Sequence, residues 1–373
     1  MSAQNKIRVL IVDDSAVVRG AIASVLARDP EIEVVGTACD AYVAHDKILA
    51  LNPDVLTLDI EMPGMDGLTF LRTLQQHRPI PVIVISSLTP TGSRKALEAL
   101  AAGAVDIMAK PGSAQTIGEL RDQLPRRVKA AAGARLVNLS QPVSCHDNTF
   151  NAPSHLPNIN PRQLILIGAS TGGTEAIQKV LTVLPDGLPG ICIVQHIPPV
   201  FSSAFASRLN GCCSFEVREA VPGDEVRPGL ALIAPGDYHM SLSFECGRYR
   251  VHLEKGPPLH FTRPAVDVLF NSAVPWADSD TVTVLLTGMG SDGALGMQKL
   301  KQRGACTIAQ DESTCVVYGM PRAAVQLGIV DHVLPLEQIP HAILSSLQHR
   351  PREICSENTN KSAASMPDPV KFN

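Results

Sequence analysis

The 373-residue chain has no apolar run approaching the 18 or more residues that a membrane span needs, which excludes direct membrane insertion. Positive charge is not in excess either. Its 32 Lys and Arg against 36 Asp and Glu leave a formal net charge of −4, so no global positive field is present to hold a nucleic-acid backbone. The nine cysteines are scattered and odd in number, and none forms a CxxC pair at metal-ligand spacing. Several sit inside apolar runs such as ICIV at 191–194, which suits free buried thiols in a reducing compartment and not a disulfide framework. Adjacent Cys212 and Cys213, close to Phe215, read as packing residues rather than a redox pair. The opening MSAQNKIRVLIVDD is too short in apolar residues for a signal peptide and runs straight into two aspartates, so a cytoplasmic location is expected. Aromatics are sparse at 4% and charged residues stand at 18%. Apolar residues, by contrast, reach 45%, enough for full cores, and Gly and Pro fill about 15%, as in turn-rich globular proteins. The length favours two domains.

Residues 7–130 alternate β-branched runs with helical patterns. The predicted strands are 7–12, 32–36, 54–59, 81–86 and 105–108, with helices near 41–51, 66–77, 92–102 and 114–130. Val18, Ile22, Val25 and Leu26 place a further helix after Ser15, its expected N-cap. Five βα units in a row imply a parallel sheet with helices on both faces. Periodicity is lost over 131–161, where Asn, Pro and Ser gather, and this stretch reads as a linker. A second alternating region, 162–350, has its best strands at 164–168, 191–195, 230–234, 281–287 and 305–309, with a β-rich, turn-rich middle near 213–260. The polar residues 351–373 are expected to form a mobile tail. The expected class is α/β: a doubly wound five-stranded parallel domain over 5–130, then a Rossmann-like domain with a mostly parallel sheet over 162–350.

In a doubly wound sheet, ligands sit at the carboxyl ends of the strands. Here those ends carry Asp13 and Asp14 (first strand), Asp59 (third), Ser86 (fourth) and Lys110 (fifth). Three converging carboxylates repel one another unless a divalent cation joins them, and hard oxygen ligands suit Mg2+. Such a pocket stabilises charge on a phosphoryl group transferred to a carboxylate. The motifs VDDS at 12–15, LDIEMPGMDG at 58–67, ISS at 85–87 and KP at 110–111 resemble a response-regulator receiver domain of flavodoxin-like fold. By that resemblance Asp59 is the phosphoacceptor. Asp14, Asp59 and the backbone carbonyl of Glu61 hold Mg2+, Asp13 acts through water, and Ser86 and Lys110 contact the phosphoryl oxygens. Many receivers carry an aromatic switch three residues before the lysine; Ile107 stands there instead. The expectation is that the signal passes through Ser86 and domain-interface packing.

In the second region, LILIGASTGGTEAI (164–177) is a strand, a glycine turn and a helical pattern. It fails as a dinucleotide fingerprint because Ser170 stands where glycine is needed, and as a P-loop because Thr174 replaces the lysine. It fits a GxSxG nucleophile turn, with Ser170 exposed beside helix N-terminal N–H groups; the alternative is a plain helix cap. A serine nucleophile needs a base and an orienting acid. His196 ends the strand GICIVQ, and Asp292 lies in the glycine-rich turn after TVTVLLT. Asp292 with His332 is the other possible pairing, ranked lower because no glycine turn opens around His332.

The blocks GASTGG (168–173), QHIPP (195–199), LTGMGSDGA (286–294) and QDESTCVVYGMPRAA (310–324) resemble the catalytic domain of the chemotaxis protein-glutamate methylesterases. The resemblance implies Ser170 as nucleophile, His196 as general base and Asp292 as the group that orients and charge-stabilises the imidazole. It also implies oxyanion support near Thr171 and the Met289 turn, with the Thr171 hydroxyl bonding to the histidine. The expected reactions are hydrolysis of glutamyl methyl esters on chemoreceptors and deamidation of receptor glutamines. No cofactor is needed for the hydrolysis, Mg2+ serves phosphotransfer, and a chemotaxis histidine kinase is the donor. Two other classes compete. A transcription factor lacks support because no helix-turn-helix with a basic face is visible; a non-catalytic adaptor is separated from an enzyme by an esterase assay. The cluster Arg126, Arg127 and Lys129 is expected to serve a helix dipole or the domain interface.

Overall fold

The computed structural model describes residues 6–111, 114–136, 160 and 162–348. The first unit contains β1 (Ile7–Val12), β2 (Ile32–Ala38), β3 (Val55–Asp59), β4 (Val82–Ser86) and β5 (Asp106–Ala109). They form one parallel sheet in the order β2-β1-β3-β4-β5. Every residue of β3 and β4 is buried, as expected for strands covered by helices on both faces. The local signals act as read: the Ser15 hydroxyl caps the first helix by accepting from the Val18 N–H. The helix expected from 92 begins earlier, at Pro90, because Thr89 caps it and a proline is at home in a first turn.

The second unit adds β6 (Leu164–Ala169), β7 (Gly190–Gln195), β8 (Glu216–Glu219), β9 (Glu225–Val226), β10 (Leu230–Ile233), β11 (His239–Glu245), β12 (Arg248–Glu254), β13 (Thr281–Leu285), β14 (Cys306–Gln310) and β15 (His332–Leu334). Seven of them build a sheet in the order β15-β14-β13-β6-β7-β10-β8, and all its pairings are parallel. The β-rich middle forms a separate antiparallel sheet, β11-β12-β9. The strand read as 281–287 ends at Leu285: the Thr287 carbonyl accepts from the Ser170 N–H and its hydroxyl turns to the Thr171 carbonyl, which draws the chain into the loop. The order reverses direction at β6, with β7 on one side and β13 on the other, so a crevice opens at the carboxyl end of these three strands.

The helix expected to end at 130 runs Ala114–Ala132. Most of the expected linker, 137–159 and 161, lies outside the described residues, as does the tail 351–373. The first unit packs against that crevice. Its helix Pro90–Ala101 rests on helix Phe201–Asn210, where Arg208 donates to the Leu97 carbonyl at 2.9 Å. Among the described residues, no helix is long and apolar enough to cross a membrane.

Candidate active site and phosphoacceptor pocket

Three strand ends deliver three side chains. In the β6–β7 register Ala169 pairs with Gln195, so the next residues along, Ser170 and His196, stand side by side. The bond from the His196 N–H to the Ala169 carbonyl, 3.1 Å, holds that register. Ser170 Oγ lies 3.0 Å from His196 Nδ1, and His196 Nε2 lies 2.7 Å from Asp292 Oδ2. Asp292 also accepts from the backbone N–H groups of Val266 (2.7 Å) and Asp267 (2.8 Å), at the start of helix Val266–Ala273. Burial works against ionisation of Asp292. The hydrogen bond and charge of His196, with the two backbone N–H groups, outweigh it and hold the carboxyl below its usual range. An ionised acceptor on Nε2 requires the ring proton there, which leaves the Nδ1 lone pair facing the serine hydroxyl.

Glycines make the turn possible. A Cβ on Gly168 would sit 2.4 Å from Val266 Cγ1, and Gly172 has φ +76° with Val316 Cβ 2.6 Å from any added Cβ. On the other side of Ser170, Gly288 packs so closely that a Cβ would lie 2.7 Å from Ser170 Cβ.

The supporting contacts differ from expectation. The Thr171 hydroxyl is not bonded to the histidine; it donates to Asp106 Oδ2 of the first unit at 2.8 Å. Thr262 approaches the ring instead, its Oγ1 3.3 Å from His196 Nε2. Nearby, His260 Nε2 lies 2.9 Å from Asp267 Oδ2. Met289 lines the same small cavity, about 150 Å³, as Ser170 and His196. The alternative base His332 is exposed on the edge strand β15, with β14 and β13 between it and β6.

In the first unit, Asp59 ends β3 fully buried, and Lys110 donates to its Oδ2 at 2.7 Å and lies 3.4 Å from Asp13 Oδ2. The Glu61 N–H donates to the other Asp59 oxygen at 3.0 Å, and the Ser86 hydroxyl donates to the Gly92 carbonyl at 3.3 Å. Burial would depress the Lys110 ammonium, but its bonds and charge pairing with Asp59 and Asp13 raise it above its ordinary value. Burial pushes the Asp13 carboxyl up despite the Ser15 N–H and Lys110. Its buried Oδ2 accepts no well-formed hydrogen bond and has only the Lys110 ammonium at 3.4 Å, and oxygens of Asp13, Asp14 and Asp59 lie within 4.8 Å of one another. An orphaned carboxylate oxygen in an all-oxygen cluster fits a hard divalent cation.

The CheB methylesterase family profile matches residues 165–343, and that of the response regulator receiver domain matches 9–121. Protein-glutamate methylesterase/protein-glutamine glutaminase 2 of Syntrophus aciditrophicus is 51% identical over 91% of this chain and 99% of its own. The enzyme of that name from Bdellovibrio bacteriovorus is 47% identical over 92% and 98%. The chain belongs to the CheB methylesterase family. The crystallised CheB methylesterase catalytic domain of Thermotoga maritima is 40% identical, covering 49% of this chain and 97% of its own, with a TM-score of 0.48.

The receiver and the methylesterase domain meet at the active-site rim. Gln123 donates to the Phe261 carbonyl at 3.1 Å, and the Arg126 guanidinium stacks 3.7 Å from the Phe261 ring centroid. Arg127 pairs with Asp106 at 2.7 Å, whereas Lys129 turns away to Asp29 and Glu31. Of the basic cluster, Arg126 alone of the three makes a direct contact across the interface in these bonds. Sequence reasoning missed Asp106, Gln123, Phe261 and Thr262. Their positions follow from how two domains dock, which no periodicity reports. The nearest signal was PPLHFTRP at 257–264, three side chains capable of hydrogen bonding, His260, Thr262 and Arg263, among prolines at a strand end. Burial, then the neighbouring Cys212, push the Cys213 thiol up to about 12, which disfavours the reactive thiolate.

Proposed function

We propose that Ser170, His196 and Asp292 hydrolyse glutamyl methyl esters on cytoplasmic chemoreceptor helices, and deamidate receptor glutamines, under control of phosphorylation at Asp59. The observation that carries this reading is the unbroken chain of 3.0 Å from Ser170 Oγ to His196 Nδ1 and 2.7 Å from His196 Nε2 to Asp292. Ser170 Oγ attacks the ester carbonyl while Nδ1 takes its proton; the imidazolium is paired with Asp292 and then protonates the departing methoxide. Water, deprotonated by the same nitrogen, cleaves the glutamyl-serine ester to free carboxylate. With a glutamine the leaving group is ammonia. Backbone N–H groups at Thr171 and the Met289 turn are the candidates for the oxyanion.

Control follows from access. The small cavity over Ser170 is walled by Gln123, Arg126 and Arg127 of the receiver. A receptor helix about 10–12 Å across has to approach Ser170 over the face those side chains cover, so it requires the receiver to move. In the receiver, Asp13, Asp14, Asp59 and the Glu61 carbonyl are the residues that would hold Mg2+, which neutralises phosphoryl charge when bound. Ser86 and Lys110 contact the phosphoryl oxygens, and a chemotaxis histidine kinase supplies the group. Phosphorylation shifts the population toward an uncovered form.

The test is methanol release from methylated receptor membranes. It rises with a small phosphodonor plus Mg2+ in the wild type, stays flat in Asp59→Ala, and is lost in Ser170→Ala. Full activity in Ser170→Ala refutes the nucleophile assignment. Stimulation that survives Asp59→Ala refutes the phosphoacceptor assignment.

A further inference from the structure

We propose that Asp106 and Thr171 form the latch by which the receiver holds the methylesterase domain covered, and that β5 carries the signal from the phosphoacceptor pocket to it. This rests on the reading of Ser170 as nucleophile and Asp59 as phosphoacceptor.

Asp106 opens β5 and is buried. One oxygen accepts from Arg127 Nη1 at 2.7 Å and from the Ile107 N–H at 2.8 Å; the other accepts from Thr171 Oγ1 at 2.8 Å. The first two bonds lie within the receiver and fix the carboxylate whatever the second domain does. The third crosses to the residue beside the nucleophile. Thr171 is itself held by the Thr287 hydroxyl on its carbonyl, 3.0 Å, so its own hydroxyl is the part free to change partner when the domains separate. A buried hydrogen bond to a carboxylate is of the strong, charge-assisted kind.

The other end of β5 leads to Lys110, bound to Asp59 and near Asp13. At about 3.3 Å per residue, some 13 Å of strand joins Lys110 to Asp106. That strand is registered to β4 from Ile83–Asp106 to Ser86–Ala109, so a shift at its carboxyl end is not absorbed between. Ile107 is buried in the apolar core and has no aromatic ring to swing. The route through β5 needs none. The Arg127 guanidinium that braces Asp106 also donates to Gln123 Oε1 at 3.2 Å, and Gln123 holds the Phe261 carbonyl. Thr262, one residue on, stands against His196. Both sides of the catalytic pair are thereby tied to one receiver cluster.

The test is a double-mutant cycle in the full chain carrying Ser170→Ala, read by hydrogen exchange at 168–173 and along helix Ala114–Ala132. Asp106→Ala strands the buried Arg127 charge and endangers the receiver fold, so Thr171→Val, on the other domain, is the second arm. Each single change should speed exchange about ten- to hundredfold, the double no more than Asp106→Ala alone, and Thr171→Ser should restore protection. Effects that multiply in the double, or unchanged exchange in Thr171→Val, overturn the latch. With Ser170 intact, Asp106→Ala that still accepts phosphate at Asp59 should release methanol faster unphosphorylated and gain less from phosphorylation; a wild-type gain overturns it. Should no variant release methanol, the hydrolase reading falls while the exchange cycle still decides the latch.

Discussion

Asp292→Asn isolates what the buried carboxylate contributes. The substitution keeps size and shape, and an amide oxygen can still accept from His196 Nε2 and the Val266 N–H, which meet at Oδ2. The amide nitrogen then faces the Asp267 N–H, which Oδ1 now accepts at 2.8 Å, so a donor opposes a donor. If the amide flips to relieve this, its NH2 faces Nε2, the ring proton moves to Nδ1, and the serine loses its base. In either orientation the imidazolium formed during attack loses its counterion. Two unit charges about 4 Å apart at an effective dielectric of 20 interact by about 4 kcal/mol, close to three decades in rate. Loss of the tautomer adds to this, and the corresponding change in serine hydrolases costs about 10⁴. The expected result is a 10³–10⁴-fold drop in methanol release by phosphorylated full chain, with Ser170→Ala setting the floor. Thermal unfolding keeps the comparison fair, since Asp292 also caps helix Val266–Ala273. A well-folded Asp292→Asn protein within tenfold of wild type would refute the orienting role. The depressed carboxyl also sets a pH signature. A group whose folded pKa lies below its unfolded value, about 3.9, stabilises above that value and loses the contribution as pH falls through the folded pKa. The Tm gap between wild type and Asp292→Asn should therefore be widest near neutrality and close below about pH 4.

Asp13 behaves in the opposite sense. Its raised carboxyl destabilises the folded receiver once ionised, so Asp13→Asn should raise the Tm at pH 7 without Mg2+ and abolish the further rise that Mg2+ gives the wild type; an unchanged Mg2+ response would remove Asp13 from the cation site. Gly172→Ala combines φ +76° with a 2.6 Å approach to Val316 and should cost at least 1–2 kcal/mol in thermal unfolding and misplace Ser170, seen as a fall in kcat; wild-type values would refute the steric reading. Native maleimide labelling at pH 7.5, mapped by peptide mass, should reach the exposed Cys39, Cys212 and Cys246 and spare Cys192, Cys213 and Cys315, two of which burial raises to about 12.

Strand positions in both domains were legible because parallel strands covered on both faces are continuous apolar runs. VLIV within the first strand, VIVIS and LILIGA stand out against any neighbour. Ser15 and the helix Ala41–Leu51 followed from capping and spacing. The catalytic candidates were legible for a related reason: Ser170 and His196 directly follow strands and Asp292 lies in the glycine-rich loop after a third, and parallel strands put all such ends on one rim. What failed was side-chain partnership. Thr171 was expected on the histidine, yet a buried carboxylate from the other domain offers its hydroxyl a charged acceptor, and it is Thr262 that approaches the ring, at the nitrogen already bonded to Asp292.

The order of residues alone determined two α/β units, their strand ends and the chemistry those ends can carry, because burial periodicity and glycine turns are local properties of the chain. Only the tertiary structure decided that β5 of the receiver reaches the nucleophile turn, that Phe261 is clasped by Gln123 and Arg126, and that the imidazole presents Nδ1 to the serine. Those are contacts between segments tens to more than a hundred residues apart. The first two exist because two domains share a face, where the pairing of polar groups depends on docking geometry; the third depends on how β6 and β7 lie side by side, and no local pattern encodes either.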